Sequence, residues 1–152
     1  MTLMTEQLSA HAVLGARQVR DTRQVEIHDG ERWIRVCELD DLTPGRGVAL
    51  LVGAEQVAAF RDRAGALYAL ENRDPFSGAY VLSRGLIGSR GEIPVLLSPM
   101  YKQAFDLRTG VCLDEDFAPD GSSSTLRVWP IRLTAAAWPR PSQMAAGTVR
   151  ET

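Results

Sequence analysis

The feature that most constrains the fold is a series of short apolar, β-branched or aromatic runs, each closed by turn-forming residues. Turn residues such as Pro44-Gly45 and Gly65 separate neighbouring runs, which are too short for helices. Short strands at this spacing favour antiparallel pairing over strand–helix–strand units. We therefore predict an all-β antiparallel sandwich of short strands, drawn from residues 33–37, 48–52, 57–61, 67–70, 93–97, 104–107 and 126–133.

Polar segments flank this β-rich region. Residues 1–30 carry scattered charges and one short apolar patch at 12–16, which predicts a polar tail and not the apolar core of a secretory signal. Beyond residue 135, Trp138-Pro139-Arg140-Pro141 opens a second polar stretch. The expected organisation is an N-terminal tail over 1–30, one β domain over 31–135 and a C-terminal tail over 136–152.

The composition excludes several classes of partner. The formal net charge is −2, from 17 basic and 19 acidic residues, so the overall charge does not draw the chain to nucleic acid or to an anionic membrane. No apolar run approaches the roughly 18 residues of a membrane-spanning helix. Cys37 and Cys112 are too few for a disulfide framework, and they lack the C-x-x-C spacing of a zinc or thioredoxin-type site. These features favour a cytoplasmic protein in a reducing compartment.

Two segments depart from the strand pattern, and each contains a similar sequence box. Residues 71–92 are irregular and rich in glycine, which is uncommon inside a compact domain unless the segment is functional. This stretch contains the box Asp74-Pro75-Phe76-Ser77-Gly78-Ala79. A second box runs Ser98-Pro99-Met100-Tyr101-Lys102-Gln103-Ala104-Phe105-Asp106-Leu107-Arg108-Thr109-Gly110. The two boxes resemble the cluster-binding boxes of Rieske proteins, C-P-H-x-G-A and C-P-x-H-x-x-x-F-D-x-x-T-G.

The positions that hold the cluster in those boxes carry other residues here. Asp74 and Ser98 stand in place of the cysteines, and Phe76 and Tyr101 in place of the histidines. A Rieske centre needs two thiolates on one iron and two imidazoles on the other. A hydroxyl and a phenyl ring cannot replace them, and a carboxylate or phenolate suits other metals better. We therefore predict a Rieske-like domain over 31–135 without a cluster, and with no catalytic, cofactor-binding or metal-binding residues of its own.

The chain keeps the prolines and glycines of the Rieske boxes and lacks their ligands, and this combination resembles the pattern of one family. The segments 72–76, 81–87 and 98–105 look like the small subunit of assimilatory NAD(P)H-dependent nitrite reductase, and 33–42 and 110–114 are similar to it as well. The resemblance implies a cofactor-free subunit of an oxidoreductase that reduces nitrite to ammonium in nitrate assimilation. It also implies that flavin, sirohaem, an iron–sulfur cluster and NAD(P)H belong to the large catalytic subunit, which would be the partner. In agreement, this chain has no G-x-G-x-x-G after a strand, no P-loop and no cysteine quartet.

In the Rieske geometry, Phe76 and Tyr101 would lie at the tips of two neighbouring loops, the tips that face the redox partner in a true Rieske protein. We therefore predict that Asp74, Phe76, Arg84, Tyr101 and Lys102 form part of a docking surface for the large subunit, because mixtures of aromatic residues and arginine are typical of interface centres. In the alternative interpretation, Phe76 and Tyr101 fill the space that the cluster and imidazoles vacate, and Asp74 and Arg84 satisfy polar groups inside the chain.

Other functions stay open at this stage. A Rieske-type ferredoxin that feeds an oxygenase has the architecture in its favour and the missing ligands against it. An adaptor of the same lineage with an unrelated partner also fits the sequence. Cys37 and Cys112 raise the further hypothesis of a reversible dithiol switch, although cysteines in strands are usually buried and inert. Trp33, Trp129 and Phe105 are expected in the core.

Overall fold

The computed structural model describes residues 19–135, and within that range it contains strands and two short 3-10 helices but no α-helix. The 3-10 helices span Leu39–Asp41 and Leu82–Arg84. Among the described residues, no helix is long and apolar enough to cross a membrane. The nine strands are β1 (Gln24–His28), β2 (Trp33–Glu38), β3 (Gly47–Val52), β4 (Glu55–Arg61), β5 (Leu67–Glu71), β6 (Leu86–Arg90), β7 (Ile93–Leu97), β8 (Ala104–Asp106) and β9 (Ile131–Thr134).

The strands form three three-stranded sheets, and every pairing is antiparallel. The sheet orders are β2-β1-β9, β3-β4-β5 and β6-β7-β8. Two of the sheets are meanders of consecutive strands, whereas the first joins β1 to β9 from the other end of the described chain. The predicted all-β antiparallel architecture is confirmed.

Strand β4 shows how the sheets share one core. Its residues Val57 to Phe60 are all fully buried, although side chains along a strand point alternately to opposite faces. Ala58 and Phe60 pack with residues of β5, β7 and β8, while Val57 and Ala59 belong to clusters that include β1. The β3-β4-β5 sheet is therefore covered on both faces, which explains the continuous apolar run at 57–60.

The N-terminal boundary predicted from the sequence is wrong. Residues 24–28, assigned to a polar tail, form the central strand of the first sheet and bury Val25 and Ile27 completely. Between them Glu26 accepts a hydrogen bond from the Arg132 guanidinium of β9 at 2.7 Å. A five-residue strand with two apolar side chains gives a weak pattern, and its burial depends on a partner strand about a hundred positions away. The rest of the predicted tails, 1–18 and 136–152, lies outside the described residues.

Two smaller expectations also change. The last strand begins at Ile131, directly after Pro130, and not at residue 126. A proline cannot donate to a β-ladder, so Pro130 marks the start of this edge strand.

Trp129 and Phe105 are buried as predicted, but Trp33 is only half-buried, with the Arg132 guanidinium 4.0 Å from its ring centroid.

Candidate functional site: two apposed loops

The two boxes form neighbouring loops that a buried hydrogen bond joins. The Ser98 hydroxyl donates to Asp74 Oδ2 at 2.6 Å, and the two residues are 1% and 0% exposed. The positions that hold cysteines in Rieske boxes thus carry two oxygen-bearing side chains in direct contact. The predicted apposition of the two loops is confirmed, and Asp74 and Ser98 connect them.

The two loops repeat the same internal hydrogen bonds. In the first, Asp74 Oδ1 accepts the Phe76 N–H at 2.8 Å, and the Gly78 N–H donates to the Asp74 carbonyl at 2.7 Å. In the second, Ser98 Oγ accepts the Met100 N–H at 3.1 Å, and the Lys102 N–H donates to the Ser98 carbonyl at 3.1 Å. Short polar side chains that bind the amide two residues on stabilise tight turns. Asp74 and Ser98 therefore shape their own loops as well as connecting them.

The same correspondence identifies an unusual lysine. Gly78 and Lys102 occupy equivalent positions, four residues after Asp74 and Ser98, and both have positive φ angles of 79° and 65°. Among residues 19–135, Lys102 is the only non-glycine residue with positive φ. The left-handed conformation costs an L-residue with a side chain roughly 1–2 kcal/mol, and glycine adopts it freely. The second loop thus holds a lysine where its backbone favours glycine.

The short helix Leu82–Arg84 is fixed beside these loops. Buried Asn72 accepts the Ser83 N–H on Oδ1 at 2.8 Å and donates through Nδ2 to the Gln56 side chain at 3.0 Å. Gly85 permits close packing, since a Cβ there would lie 2.3 Å from the Leu97 carbonyl oxygen. These contacts determine where Arg84, the last residue of the helix, is presented.

The two aromatic residues at the positions of the Rieske histidines differ in their burial. Phe76 is half-buried and packs on the core, with its ring centroid 6.2 Å from that of Phe105. Tyr101 is 60% exposed. The packing of Phe76 favours the space-filling interpretation for that residue, whereas the exposure of Tyr101 contradicts it there.

The residues predicted to form a docking surface also include both buried and exposed side chains. Including Asp74 in a docking surface was wrong, because its carboxylate is fully buried and bonded within the chain. Arg84 and Lys102 are exposed and line one cleft of about 210 Å³ together with Leu86 and Pro99. The structure thus brings Arg84 and Lys102 together and leaves Tyr101 exposed on the second loop.

Sequence reasoning missed three exposed apolar residues near the loops. Tyr80 at the end of the first loop is 56% exposed, Met100 in the second loop 46% and Leu86 at the start of β6 66%. Met100 and Leu86 lie inside the quoted family segments, but an apolar residue in an irregular segment does not reveal whether it points inward or outward. Together with Tyr101, they leave apolar side chains exposed to solvent on and beside the two loops.

The donor atoms in the loops do not fit a [2Fe–2S] cluster. The four ligand positions supply one carboxylate, one hydroxyl, one phenol and one phenyl ring, and the first two already bind each other. Across residues 19–135, no three His, Cys, Asp or Glu side chains are grouped so that they could hold a metal ion.

The two cysteines do not form a pair. Cys112 is buried in the cluster around Phe105, whereas Cys37 packs with Val25 and Leu39 in a different cluster. Burial raises the pKa of the Cys37 thiol to about 11, which keeps it protonated and unreactive near neutral pH. This arrangement argues against the dithiol switch.

Comparison with known proteins identifies the lineage of this domain. Residues 32–137 match the family model described as a Rieske-like [2Fe-2S] domain. The chain is 46% identical over 87 residues to the nitrite reductase (NADH) small subunit of Salmonella typhimurium, covering 80% of that protein and 56% of this chain. It is 39% identical over 104 residues to the nitrite reductase [NAD(P)H] large subunit of Klebsiella oxytoca, a match of 66% of this chain to only 10% of that protein.

Solved structures give the same result. A crystal structure described as an NADH-dependent nitrite reductase small subunit from Mycobacterium tuberculosis matches with a TM-score of 0.56 and 42% identity, covering 74% of this chain and 88% of that one. The ferredoxin of carbazole 1,9a-dioxygenase from Nocardioides aromaticivorans matches with a TM-score of 0.51 and 25% identity, covering 67% and 96%. The fold is shared with this dioxygenase ferredoxin, and the higher sequence identities are to nitrite reductase small subunits.

Proposed function

Because the chain belongs to the Rieske-like family of NADH-dependent nitrite reductase small subunits, we propose that it works by binding the large catalytic subunit and carries no redox cofactor itself. In this proposal the large subunit contains the flavin, sirohaem and iron–sulfur cluster, uses NAD(P)H and reduces nitrite to ammonium for nitrate assimilation. The small subunit contributes through contact, either by stabilising the large subunit or by shaping access to its redox centres.

The observation that carries the proposal is the match inside the Klebsiella large subunit. A domain 39% identical to this one forms part of a protein named as the large subunit, which is about ten times longer than the matched segment. A related domain is a separate small subunit in Salmonella typhimurium and a segment of the large subunit in Klebsiella oxytoca. We therefore expect the domain to contact the rest of the large subunit in both arrangements. Covalent attachment also makes the contact intramolecular and raises its effective concentration.

The exposed residues of the two loops support the same role. Tyr101, Met100 and Arg84 are exposed and belong to the aromatic, methionine and arginine types that are enriched at interfaces. Phe76 and Asp74 lie beneath them and hold the loops in place, so the surface is presented on a rigid support.

The test is reconstitution with the cognate large subunit. We expect the two purified chains to co-elute in size-exclusion chromatography at low salt, and NADH-dependent nitrite reduction to rise when this chain is added to the large subunit. Separate elution at micromolar concentrations, together with unchanged turnover, would refute the proposal. An equimolar complex is the expected stoichiometry, because a domain within a large-subunit chain is present once per chain.

The absence of a cofactor is tested on the chain alone. We expect a colourless protein without stoichiometric iron and sulfide after anaerobic purification, because the loops offer neither thiolate nor imidazole. A brown protein with two irons and two sulfides per chain would support the ferredoxin alternative. A cytoplasmic location belongs to the same proposal, since both cysteines are free thiols.

A further inference from the structure

A continuous groove runs along β6 to the second loop. It consists of three adjoining clefts of about 500, 290 and 210 Å³ that share lining residues, Gly45 between the first two and Leu86 among all three. One wall is β6, an edge strand of its sheet, and the opposite side includes the turns around Gly45 and Arg63. Exposed Leu86 lies where the three clefts meet, so the middle of the groove is apolar. We refer to it as the β6 groove.

The charges that line the β6 groove are strongly unbalanced. Four exposed cations, Arg46, Arg63, Arg84 and Lys102, line it, and within residues 19–135 none of them forms an ion pair. The one acidic residue of its lining is Asp62, whose Oδ1 accepts the N–H groups of Ala64 and Ala66. This concentration of positive charge occurs in a chain whose net charge is −2.

The imbalance is not a general property of the surface. Outside the groove, six of the ten described arginines have a carboxylate within 4.0 Å, namely Arg20, Arg23, Arg61, Arg90, Arg108 and Arg132, whereas Arg32, Arg35, Arg73 and Arg127 do not. Like charges along one groove repel each other, so the groove cations cost stability that internal ion pairs do not recover. Such a surface is suited to a partner that supplies the missing negative charge.

The backbone of Lys102 supports this interpretation independently. Its φ of 65° is the conformation that Gly78 adopts at the equivalent position of the first loop, so a glycine there would relieve strain. Strain of this kind persists at sites where the side chain has a function. The Lys102 side chain lines the same cleft as Arg84.

We infer that the β6 groove binds an acidic segment of the large subunit, with carboxylates opposite Arg46, Arg63, Arg84 and Lys102 and an apolar residue against Leu86. The inference rests on the proposed function and adds to it the chemistry of the partner segment and its place on this chain. Charge complementarity identifies the occupant: a groove with four unpaired cations favours carboxylates, and the apolar centre favours a polypeptide over a small anion. Association is then fast at low ionic strength and slows steeply with added salt.

The decisive experiment compares two double variants of the full chain that each lose two positive charges. Arg84→Ala/Lys102→Gly removes two groove cations and gives residue 102 the glycine that its backbone favours. The matched control, Arg32→Ala/Arg35→Ala, removes two exposed cations at or beside β2, in a different sheet. Binding to the purified large subunit is measured by surface plasmon resonance at several salt concentrations.

We expect the groove variant to bind about tenfold more weakly at low salt, a loss of about 1.4 kcal/mol, and to show a shallower salt dependence, because it lacks two partly exposed charge contacts. The control variant keeps wild-type affinity and salt dependence. We expect the thermal midpoint of the groove variant to equal or exceed that of the wild type, because glycine suits the backbone at residue 102 and Arg84 is exposed, so weaker binding of that variant cannot be attributed to misfolding.

The outcomes separate this inference from the function on which it rests. Wild-type affinity and an unchanged salt slope in the groove variant would overturn the β6 groove as the binding site while leaving the subunit role intact. An equal loss in the control variant would do the same, because the effect would then come from net charge. Failure of the wild-type chain itself to bind the large subunit at low salt would overturn the proposed function, and this inference with it.

Discussion

Replacing Ser98 with alanine tests whether the buried contact between the loops holds the site together. The substitution removes the donor to Asp74 Oδ2 at 2.6 Å and the acceptor of the Met100 N–H at 3.1 Å. Asp74 keeps the Phe76 N–H on Oδ1, but Oδ2 then lies in a fully buried place without its donor. Leaving a buried acceptor without its donor costs roughly 1–3 kcal/mol, so we expect Ser98→Ala to lower the free energy of unfolding by about 2 kcal/mol.

Urea unfolding followed by tryptophan fluorescence measures this loss. With a slope of about 1.5 kcal/mol per molar urea for a domain of this size, the midpoint falls by about 1.3 M. Ser89→Ala, an exposed serine on β6, is the control and changes stability by less than about 0.5 kcal/mol. If the midpoints of Ser98→Ala and Ser89→Ala agree within about 0.3 M, the contact does not stabilise the loops and our reasoning about Asp74 fails.

A double-mutant cycle isolates the contact from its surroundings. In an Asp74→Asn background the carboxylate that accepts the Ser98 hydroxyl is absent, so removing that hydroxyl no longer takes the donor away from a buried carboxylate oxygen. We expect Ser98→Ala to cost about 1 kcal/mol less in that background than in the wild type. Additive effects of the two substitutions would show that Asp74 and Ser98 contribute independently.

Three further predictions concern other parts of the domain. Phe76→Ala should lower stability by about 2 kcal/mol, because the half-buried ring packs on Phe105, yet leave binding of the large subunit intact; the reverse result in calorimetry and binding assays would favour docking. Arg23 lowers the pKa of Asp21 from 3.8 to about 2, so its stabilisation is present above pH 4 and lost as the pH falls towards 2; acid unfolding of Asp21→Asn should show a weaker pH dependence in that window. Alkylation of Cys37 in the native protein at pH 8 should be at least about 100-fold slower than in urea, since burial raises its thiol pKa to about 11; rapid modification would revive the switch hypothesis.

The sequence alone determined the class of the fold and the chemistry that the loops lack. Short apolar runs between turn residues specify antiparallel strands because strand length and turn type are local properties. The same holds for the missing ligands: Asp74, Phe76, Ser98 and Tyr101 carry neither sulfur nor imidazole in any conformation. The family followed from which residues around those positions were kept.

Tertiary structure decided everything that depends on contacts between distant residues. Val25 and Ile27 become core only because β1 pairs with β9 from the far end of the domain. Phe76 turns inward while Tyr101 remains exposed, although both stand at former histidine positions, because only Phe76 has the Phe105 ring beside it. The β6 groove collects cations from four separate segments of the chain, and charges so far apart in sequence form one electrostatic surface only after folding.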